Sequence, residues 1–246
     1  MAVRFDASTD ALSRTTALPT APTTFMGWFR VAVDGNQIHN FIAAGASTGS
    51  IYVQIGADFT GGSTNLFIWD GVNSVNGSNI SLTTWYHITL IIQDPDMALN
   101  DSFCYLNGVL DITNPDTNAA TYPYAKIWIG NDNDSEFLNG RAAAIKIWNA
   151  ELTAAEILNE MRQYLPIRTT NLYGFWPLFN TAVDQNDYSG NANTWTVGGT
   201  LADEDGPPIP WAINSKRLIL PSATVVPPVI RNRYKVFNTK IIRGAA

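Results

Sequence analysis

The sequence has little of the chemistry on which many enzymes and small secreted proteins depend. Its 246 residues include one cysteine and two histidines. Cys104 has no second cysteine with which to form an intramolecular disulfide, which excludes a small disulfide-stabilised scaffold. His39 and His87 leave little material for a His-based metal site or a catalytic triad.

Long apolar runs are also absent. No stretch approaches the roughly 18–20 apolar residues of a transmembrane helix. The first residues, MAVRFDASTDALSRTT, contain no apolar segment typical of a secretory signal. We therefore expect no membrane association and a chain that is made in the cytoplasm.

Acidic residues are missing from the last part of the chain. Residues 211–246 contain seven of the 15 Lys and Arg residues and none of the 21 Asp and Glu residues, so they carry +7 while residues 1–210 carry −13. This segment is apolar, is interrupted by three prolines and is too short to fold as a domain without staples. We predict a domain over 1–201, an acidic Pro/Gly linker over 202–210 and a basic, apolar C-terminal arm over 211–246.

Short runs of apolar and aromatic residues, separated by Gly, Asn and Asp, make up most of the predicted domain. Runs such as Phe25–Val33 and Trp85–Gln93 are typical of β-strands. The LNGV sequence at 106–109 places Asn-Gly between two such runs and predicts a hairpin. Many strands joined by local turns predict an all-β fold of two packed antiparallel sheets.

One short helix is predicted among these strands. Thr153 and Glu156 have the spacing of a capping box, and Leu152 and Ile157 have the spacing of a hydrophobic staple. Pro166 is expected to end the helix. A single capped helix in a chain of strands indicates an element that lies against one sheet.

Five segments between residues 3 and 199 combine an aromatic or apolar strand with a polar turn. They are VRFDASTDALSR (3–14), TTFMGWFRV (23–31), WYHITLII with CYLNGVL (85–110), FLNGRAAAIKIWNAELTAAEI (137–157) and FWPLFNTAVDQNDYSGNANTWTVGG (175–199). Together they resemble the laminin-G-like, concanavalin A-like superfamily of the bacterial and bacteriophage type. The resemblance implies a two-sheet antiparallel jelly-roll sandwich, to which this sequence adds one short helix and an extended C-terminal arm.

The same resemblance implies a calcium ion at the rim of the sandwich. Hard oxygen ligands suit Ca²⁺, and two acidic turns supply them. The candidate ligands are Asp132, Asp134 and Glu136 in NDNDSE, and Asp184 and Asp187 beside the SGN turn. The alternative is that these acidic side chains only accept hydrogen bonds from backbone amides within their turns.

Aromatic residues beside Asn and Asp are typical of sugar-binding sites. The candidates are Trp69, Asp70, Tyr122, Tyr124, Asn191 and Trp195. The alternative for each aromatic residue is a place in the core. Hydrolases of this superfamily commonly carry paired carboxylates on one strand as E-x-D-x-x-E, which the sequence lacks, so we expect no enzymatic activity.

These observations lead to a hypothesis of a non-enzymatic bacteriophage virion protein. In it, a homo-oligomeric jelly-roll knob decorates or cements the capsid or is a component of the tail. The arm would dock on another virion protein, because its bases are spaced among aliphatic residues rather than clustered as for nucleic acid. The anchoring residues are Trp211, Lys216, Arg217, Arg231, Arg233, Tyr234, Lys235, Phe237, Lys240 and Arg243. The alternatives are a lectin-like module for host surface glycans and an accessory domain of a hydrolase.

Overall fold

A computed structural model describes residues 1–15, 22–46, 51–93, 102–114, 124–131, 136–178 and 185–209. Most of these residues lie in strands, and one α-helix occurs among them. The elements are β1 (Ala2–Phe5), β2 (Ala11–Thr15), β3 (Thr23–Val31), β4 (Ile38–Gly45), β5 (Ile51–Asp58), a short 3₁₀ turn (Thr60–Gly62), β6 (Asn65–Trp69), β7 (Ser74–Asn79), β8 (Tyr86–Ile92), β9 (Ser102–Leu106), β10 (Val109–Asn114), β11 (Lys126–Ile129), β12 (Gly140–Trp148), α1 (Ala154–Met161), β13 (Leu172–Trp176), β14 (Thr196–Gly198) and β15 (Ala202–Glu204).

The strands form two antiparallel sheets. The eight-stranded sheet has the order β10-β9-β8-β3-β12-β1-β15, and β13 pairs with the second half of β12. The seven-stranded sheet has the order β14-β2-β11-β4-β5-β6-β7. Strands that are neighbours in the sheet are often distant in sequence, as in a jelly-roll sandwich. The predicted all-β sandwich with one short helix is confirmed.

The main core lies between the two sheets. Alternate residues of each strand point into it, for example Val53, Ile55 and Ala57 of β5. Phe29 of β3 and Phe41 of β4 stack across the core with their ring centroids 4.9 Å apart. Because the strand period is two, the residues between these core positions project from the outer face of their sheet.

The hairpin predicted from LNGV joins β9 to β10. Asn107 and Gly108 both have positive φ, at 52° and 81°, which is the backbone that a two-residue type I′ turn requires. Asn107 also accepts a hydrogen bond at its side-chain oxygen from the backbone N–H of His87, which ties the hairpin to β8.

Helix α1 covers the outer face of the eight-stranded sheet. Thr153 and Glu156 form the predicted capping box, and Ile157 packs with Leu152 and Trp148. The helix ends at Met161, before the predicted stop at Pro166. The last turn is closed by hydrogen bonds from the backbone N–H groups of Arg162 and Gln163 to Asn159 and Glu160, and Lys146 of β12 also donates from Nζ to the carbonyl oxygen of Glu160.

The sandwich extends beyond the predicted domain end at residue 201. Residues Ala202–Glu204 form β15, which pairs with β1 at the edge of the eight-stranded sheet. Residues 202–204 are therefore part of the sandwich rather than of a linker. No helix in the described part of the chain has the length and apolarity needed to cross a membrane.

Candidate functional site

The outer face of the seven-stranded sheet carries a cross-strand row of chemically useful side chains. Gln54 lies between the core positions Val53 and Ile55 and therefore projects outward. Its register partners on the two neighbouring strands are Ala43 and Trp69. The row extends from Trp128 of β11, opposite Ala43, to Ser74 of β7, opposite Trp69.

A carboxylate lies against the middle of this row. Gln54 donates a hydrogen bond from its side-chain amide to Oε2 of Glu136, a residue that comes after the end of β11 in the chain. The Nζ atom of Lys126 lies 4.8 Å from the centroid of the Trp128 ring. Trp69 is half-buried, whereas Gln54 and Trp128 are buried. The row thus combines a partly accessible indole with an amide–carboxylate pair.

A second polar residue, Asn40, lies on the same outer face. Asn40 is opposite Gly56, whose neighbouring positions on β5 face the core, so Asn40 belongs to the outer face. It is fully buried, and neither its side-chain nitrogen nor its oxygen has a hydrogen-bond partner. A buried unpaired amide costs roughly 1–3 kcal/mol per group, so Asn40 is an unfavourable residue of this sheet, and its full burial keeps it out of reach of a ligand at the surface.

Asp70 follows Trp69 but plays a structural part. Its side chain is fully buried, and Oδ1 accepts hydrogen bonds from the backbone N–H groups of Val72 and Asn73 at 2.8 and 2.6 Å. This is an Asx-type turn that joins β6 to β7. The turn supports Trp69 and places the 63% exposed Val72 at its tip. Asp70 therefore shapes the candidate site without presenting its carboxylate to solvent.

The second predicted glycan cluster, Trp195 with Asn191, is contradicted by its packing. Trp195 is 4% exposed, and its ring centroid lies 4.9 Å from that of Trp176 in the core. Asn191 is exposed, but its amide donates to the carbonyl oxygens of Leu172 and Tyr173. Trp195 immediately precedes β14 and packs in the main core, so it offers no face for a sugar.

Asp187 has its two oxygens occupied by the protein. They accept hydrogen bonds from the backbone N–H groups of Phe175, Ser189 and Asn193 and from the Ser189 hydroxyl, at 2.8–3.0 Å. The SGN sequence is thus a turn built around a buried carboxylate, as in the alternative to a calcium site. Among the described residues, no three His, Cys, Asp or Glu side chains are grouped so that they could hold a metal ion.

Several predicted residues fall outside the described part of the chain. These are Tyr122, Asp132, Asp134, Asp184 and the anchoring residues of the arm. Tyr124 is described: it is half-buried and packs against the main core. Of the predicted glycan and calcium residues, the outer face of the seven-stranded sheet brings together Trp69 and Glu136.

The two histidines and the cysteine, which could in principle act as bases or as a nucleophile, are all buried. His39 accepts a hydrogen bond at Nδ1 from the backbone N–H of Asn139 and donates from Nε2 to the carbonyl oxygen of Asp34, and burial lowers its pKa. Burial, together with the charge of Lys146, lowers the pKa of His87 to about 3. Burial raises the pKa of the Cys104 thiol. None of these three groups is set up as a nucleophile or a general base at neutral pH.

Sequence reasoning missed Gln54, Asn40 and Trp128. The sequence does indicate that Gln54 lies on an outer face, since this polar residue stands between apolar ones in IYVQIGAD. Nothing in the sequence indicated that β11, β4, β5 and β6 are consecutive in one sheet, and only that order places Trp128 and Trp69 in one row.

The comparisons with solved structures agree with this architecture. A protein from Bacteroides ovatus described as carbohydrate-binding is 14% identical, with a TM-score of 0.56 over 82% of this chain and 62% of its own. Domain 4 of a Geobacillus stearothermophilus extracellular arabinanase, solved with arabinotriose, is 16% identical, with a TM-score of 0.50 over 65% of this chain and 76% of its own.

A third similar structure is the heptameric SAP-like pentraxin from Limulus polyphemus. It is 14% identical and has a TM-score of 0.52, over 64% of this chain and 79% of the pentraxin. At such low identities these likenesses establish the fold alone. The search of curated protein sequences found no match.

A family model provides the assignment. The model of the concanavalin A-like lectin/glucanases superfamily, in its laminin-G form, matches residues 5–158, which is more than half of the chain. The match includes β2 to β12 and the first five residues of α1, and therefore the whole cross-strand row from Trp128 to Ser74. This chain is a member of the concanavalin A-like lectin/glucanases superfamily.

Proposed function

We propose that this protein is a non-enzymatic carbohydrate-binding module that holds a glycan on the outer face of its seven-stranded sheet. The observation that carries the proposal is the juxtaposition of half-buried Trp69 with Gln54 and the Glu136 carboxylate. An indole offers a flat apolar surface to the C–H face of a sugar ring, while the half-buried Glu136 carboxylate, held by the buried Gln54 amide, offers hydrogen bonds to its hydroxyls.

The absence of catalysis is part of the proposal. A retaining glycosidase needs two carboxyl groups about 5–5.5 Å apart, one of which donates a proton. On this face Glu136 accepts a hydrogen bond from Gln54, and Asp70 is committed to the backbone of its turn. Binding without cleavage is the chemistry that these two carboxylates support.

Two details of the fold relatives favour a saccharide ligand over another small molecule. One relative is described as carbohydrate-binding, and another was solved with arabinotriose. These ligands belong to those proteins. For this chain they guide the choice of probes, which should include neutral plant and bacterial-surface oligosaccharides.

A glycan array with the full-length protein tests the proposal, followed by calorimetric titration of the glycans that bind. Trp69→Ala should weaken binding about tenfold or more, which corresponds to about 1.4 kcal/mol. The matched control is Tyr105→Ala, which removes a half-buried aromatic side chain from the other sheet and should leave affinity unchanged. Equal binding by Trp69→Ala and the unmodified protein would overturn the proposal, as would an array with no binding.

The same titration tests whether calcium contributes to glycan binding. Glu136 is the described member of the predicted acidic ligand set, and its carboxylate lies on the proposed binding face. If a calcium ion is held there, titration in calcium and in excess chelator will give different affinities, and Glu136→Gln will remove the difference. If affinity is the same in both buffers, glycan binding is independent of calcium.

A second candidate function is a structural one, in which the module is a knob on a bacteriophage particle. The observation that favours it is the charge distribution, since residues 211–246 carry seven bases and no acid. Such an arm suits an acidic groove on a capsid or tail protein, and oligomerisation of the knob would multiply weak contacts. Deletion of residues 211–246 should abolish incorporation into particles, and unchanged incorporation would rule the arm out as an anchor.

A further inference from the structure

The outer face of the eight-stranded sheet carries three arginines in one cross-strand row. Arg4 of β1 is opposite Arg141 of β12, and Arg141 is opposite Arg30 of β3. The residues on either side of Arg4 and of Arg30 face the main core, and so does Ala142 beside Arg141. The three arginine side chains therefore project from the same outer face. Like charges directly opposite each other destabilise a sheet, so this row is unfavourable unless anions neutralise it.

The described acids neutralise one end of the row. Arg4 forms ion pairs with Asp6 at 3.0 Å and with Glu204 at 3.4 Å, and Arg141 forms one with Glu204 at 3.1 Å. No acid among the described residues pairs with Arg30. Two carboxylates therefore face three guanidinium groups, and the deficit lies at the end of the row formed by Arg141 and Arg30.

The same end has donors without acceptors. The Nε atoms of Arg30 and Arg141 are buried and have no hydrogen-bond partner. The Arg141 side chain is 17% exposed, so part of it still reaches solvent, and Arg30 is half-buried. Two neighbouring guanidinium groups with unused, partly desolvated donors form an environment in which an added oxyanion gains strong charge-assisted hydrogen bonds.

An apolar surface adjoins this end of the row. Trp28 lies two positions before Arg30 on β3 and therefore on the same face, and it packs in one cluster with the half-buried Trp85. Trp85 immediately precedes β8, the strand that pairs with β3. An anionic group bound by the arginines would thus have indole surface beside it.

We propose that Arg30 and Arg141 form an oxyanion site for the carboxylate of an acidic saccharide, on the sheet opposite the one that carries Trp69. The carboxylate would accept hydrogen bonds from both guanidinium groups and complete the neutralisation that Glu204 provides at the other end. The saccharide part of this inference rests on the proposed function, whereas the oxyanion part rests on the arginine row alone. The site gives the module two binding faces with different charge preferences.

Trigalacturonic acid and its methyl ester are the probes, titrated into the full-length protein at low salt. The acid should bind, and the neutral ester should not. Arg30→Gln should weaken binding of the acid at least tenfold. Because Arg30 has no ion pair among the described residues, this variant should fold, and its melting temperature without ligand should be equal to or higher than that of the unmodified protein.

Two further variants sharpen the test. Arg162→Gln removes an exposed arginine next to the end of α1 and should leave binding unchanged. Arg30→Lys keeps the charge but loses the planar donor fork, and it should bind the acid more weakly than the unmodified protein. The inference is overturned if Arg30→Gln binds the acid as well as the unmodified protein does, if the ester binds equally, or if inorganic sulfate binds and the acid does not.

The failure of this inference is distinguishable from that of the proposed function. Trp69→Ala affects the seven-stranded sheet and should leave trigalacturonate binding unchanged, while Arg30→Gln should leave neutral-glycan binding unchanged. Loss of both ligands in either variant would contradict the existence of two separate faces.

Discussion

The role of a tryptophan in this protein depends on where its side chain packs. Trp176 and Trp195 point into the core, Trp148 is buried beneath α1, and Trp69 stays half-buried on an outer face. The sequence predicts Trp69 and Trp195 as equal candidates for a sugar site, because both are flanked by polar residues. Only the packing separates them.

Trp195→Ala should therefore act on stability rather than on a binding site. Removal of a buried tryptophan typically costs about 3–5 kcal/mol, since the cavity it leaves is only partly refilled. Urea unfolding at neutral pH should show this loss, while Trp69→Ala should lose less than half as much. A Trp195→Ala variant as stable as the unmodified protein would contradict the core assignment.

His87 should make stability depend on pH in the acid range. Its pKa is about 3 in the folded state, because burial and the charge of Lys146 oppose protonation, against about 6.5 in the unfolded chain. Below about pH 6.5 the unfolded chain binds a proton that the folded state does not. Each further pH unit down to about 3 should therefore cost about 1.4 kcal/mol.

Urea unfolding at pH 7 and pH 4.5 measures this effect, with His87→Gln as the reference variant. The free energy of unfolding of the unmodified protein should fall more steeply with acidification than that of His87→Gln. If both decline equally, acidic side chains account for the pH dependence and His87 is not the cause.

At the scale of secondary structure elements, the contact between α1 and the sheet depends on a buried ion pair. Lys146 donates to Oε2 of Glu160 at 2.8 Å, and both side chains are at most 2% exposed. The other carboxylate oxygen accepts from the backbone N–H groups of Ile167 and Arg168. Burial lowers the pKa of Lys146, and the adjacent carboxylate partly offsets that effect.

Lys146→Met should destabilise the protein by about 3–5 kcal/mol, because it leaves the Glu160 carboxylate buried without its cation. The double variant Lys146→Met/Glu160→Gln should recover part of this loss, since it removes the uncompensated charge. Chemical unfolding of both variants and of Glu160→Gln alone measures the coupling. Strictly additive effects of the two substitutions would show that the pair is not coupled.

The elements themselves were largely predictable from sequence. The capping box of α1 and the Asn-Gly hairpin follow from local chemistry, and both occur where the sequence places them. The end of α1 at Met161 does not follow from the position of Pro166, because the last turn is closed earlier by backbone hydrogen bonds and by a contact with Lys146 that exists only once α1 lies on the sheet. Gln54 was missed for a similar reason, because its place beside Trp69 depends on which strands are neighbours in the sheet.

At the scale of the whole molecule, the two outer faces differ in chemistry. The face that carries Trp69, Gln54 and Glu136 combines an indole with an amide and a carboxylate, and the opposite face carries the arginine row and α1. β15 pairs with β1 at the edge of this sheet, and its residue Glu204 pairs with Arg4 and Arg141. The last described strand therefore covers the edge of β1 and supplies a carboxylate to two of the three arginines in the row.

Shortening the chain should reveal the part played by β15. A chain of residues 1–209 should unfold at the same urea concentration as the full-length protein, because both sheets are complete within it. A chain of residues 1–201 should be less stable and more prone to aggregate, since it exposes the edge of β1 and leaves Arg141 without Glu204. Equal stability of the two shortened chains would contradict a structural role for β15.

The central claim is that the outer face of the seven-stranded sheet binds a glycan. The most direct measurement is a crystal structure of the protein with the glycan that binds most tightly on the array. We predict a sugar ring against the Trp69 indole, with its hydroxyls within hydrogen-bond distance of Glu136. A glycan bound on the opposite sheet or at the ends of the sandwich, with the Trp69 face empty, would contradict the account.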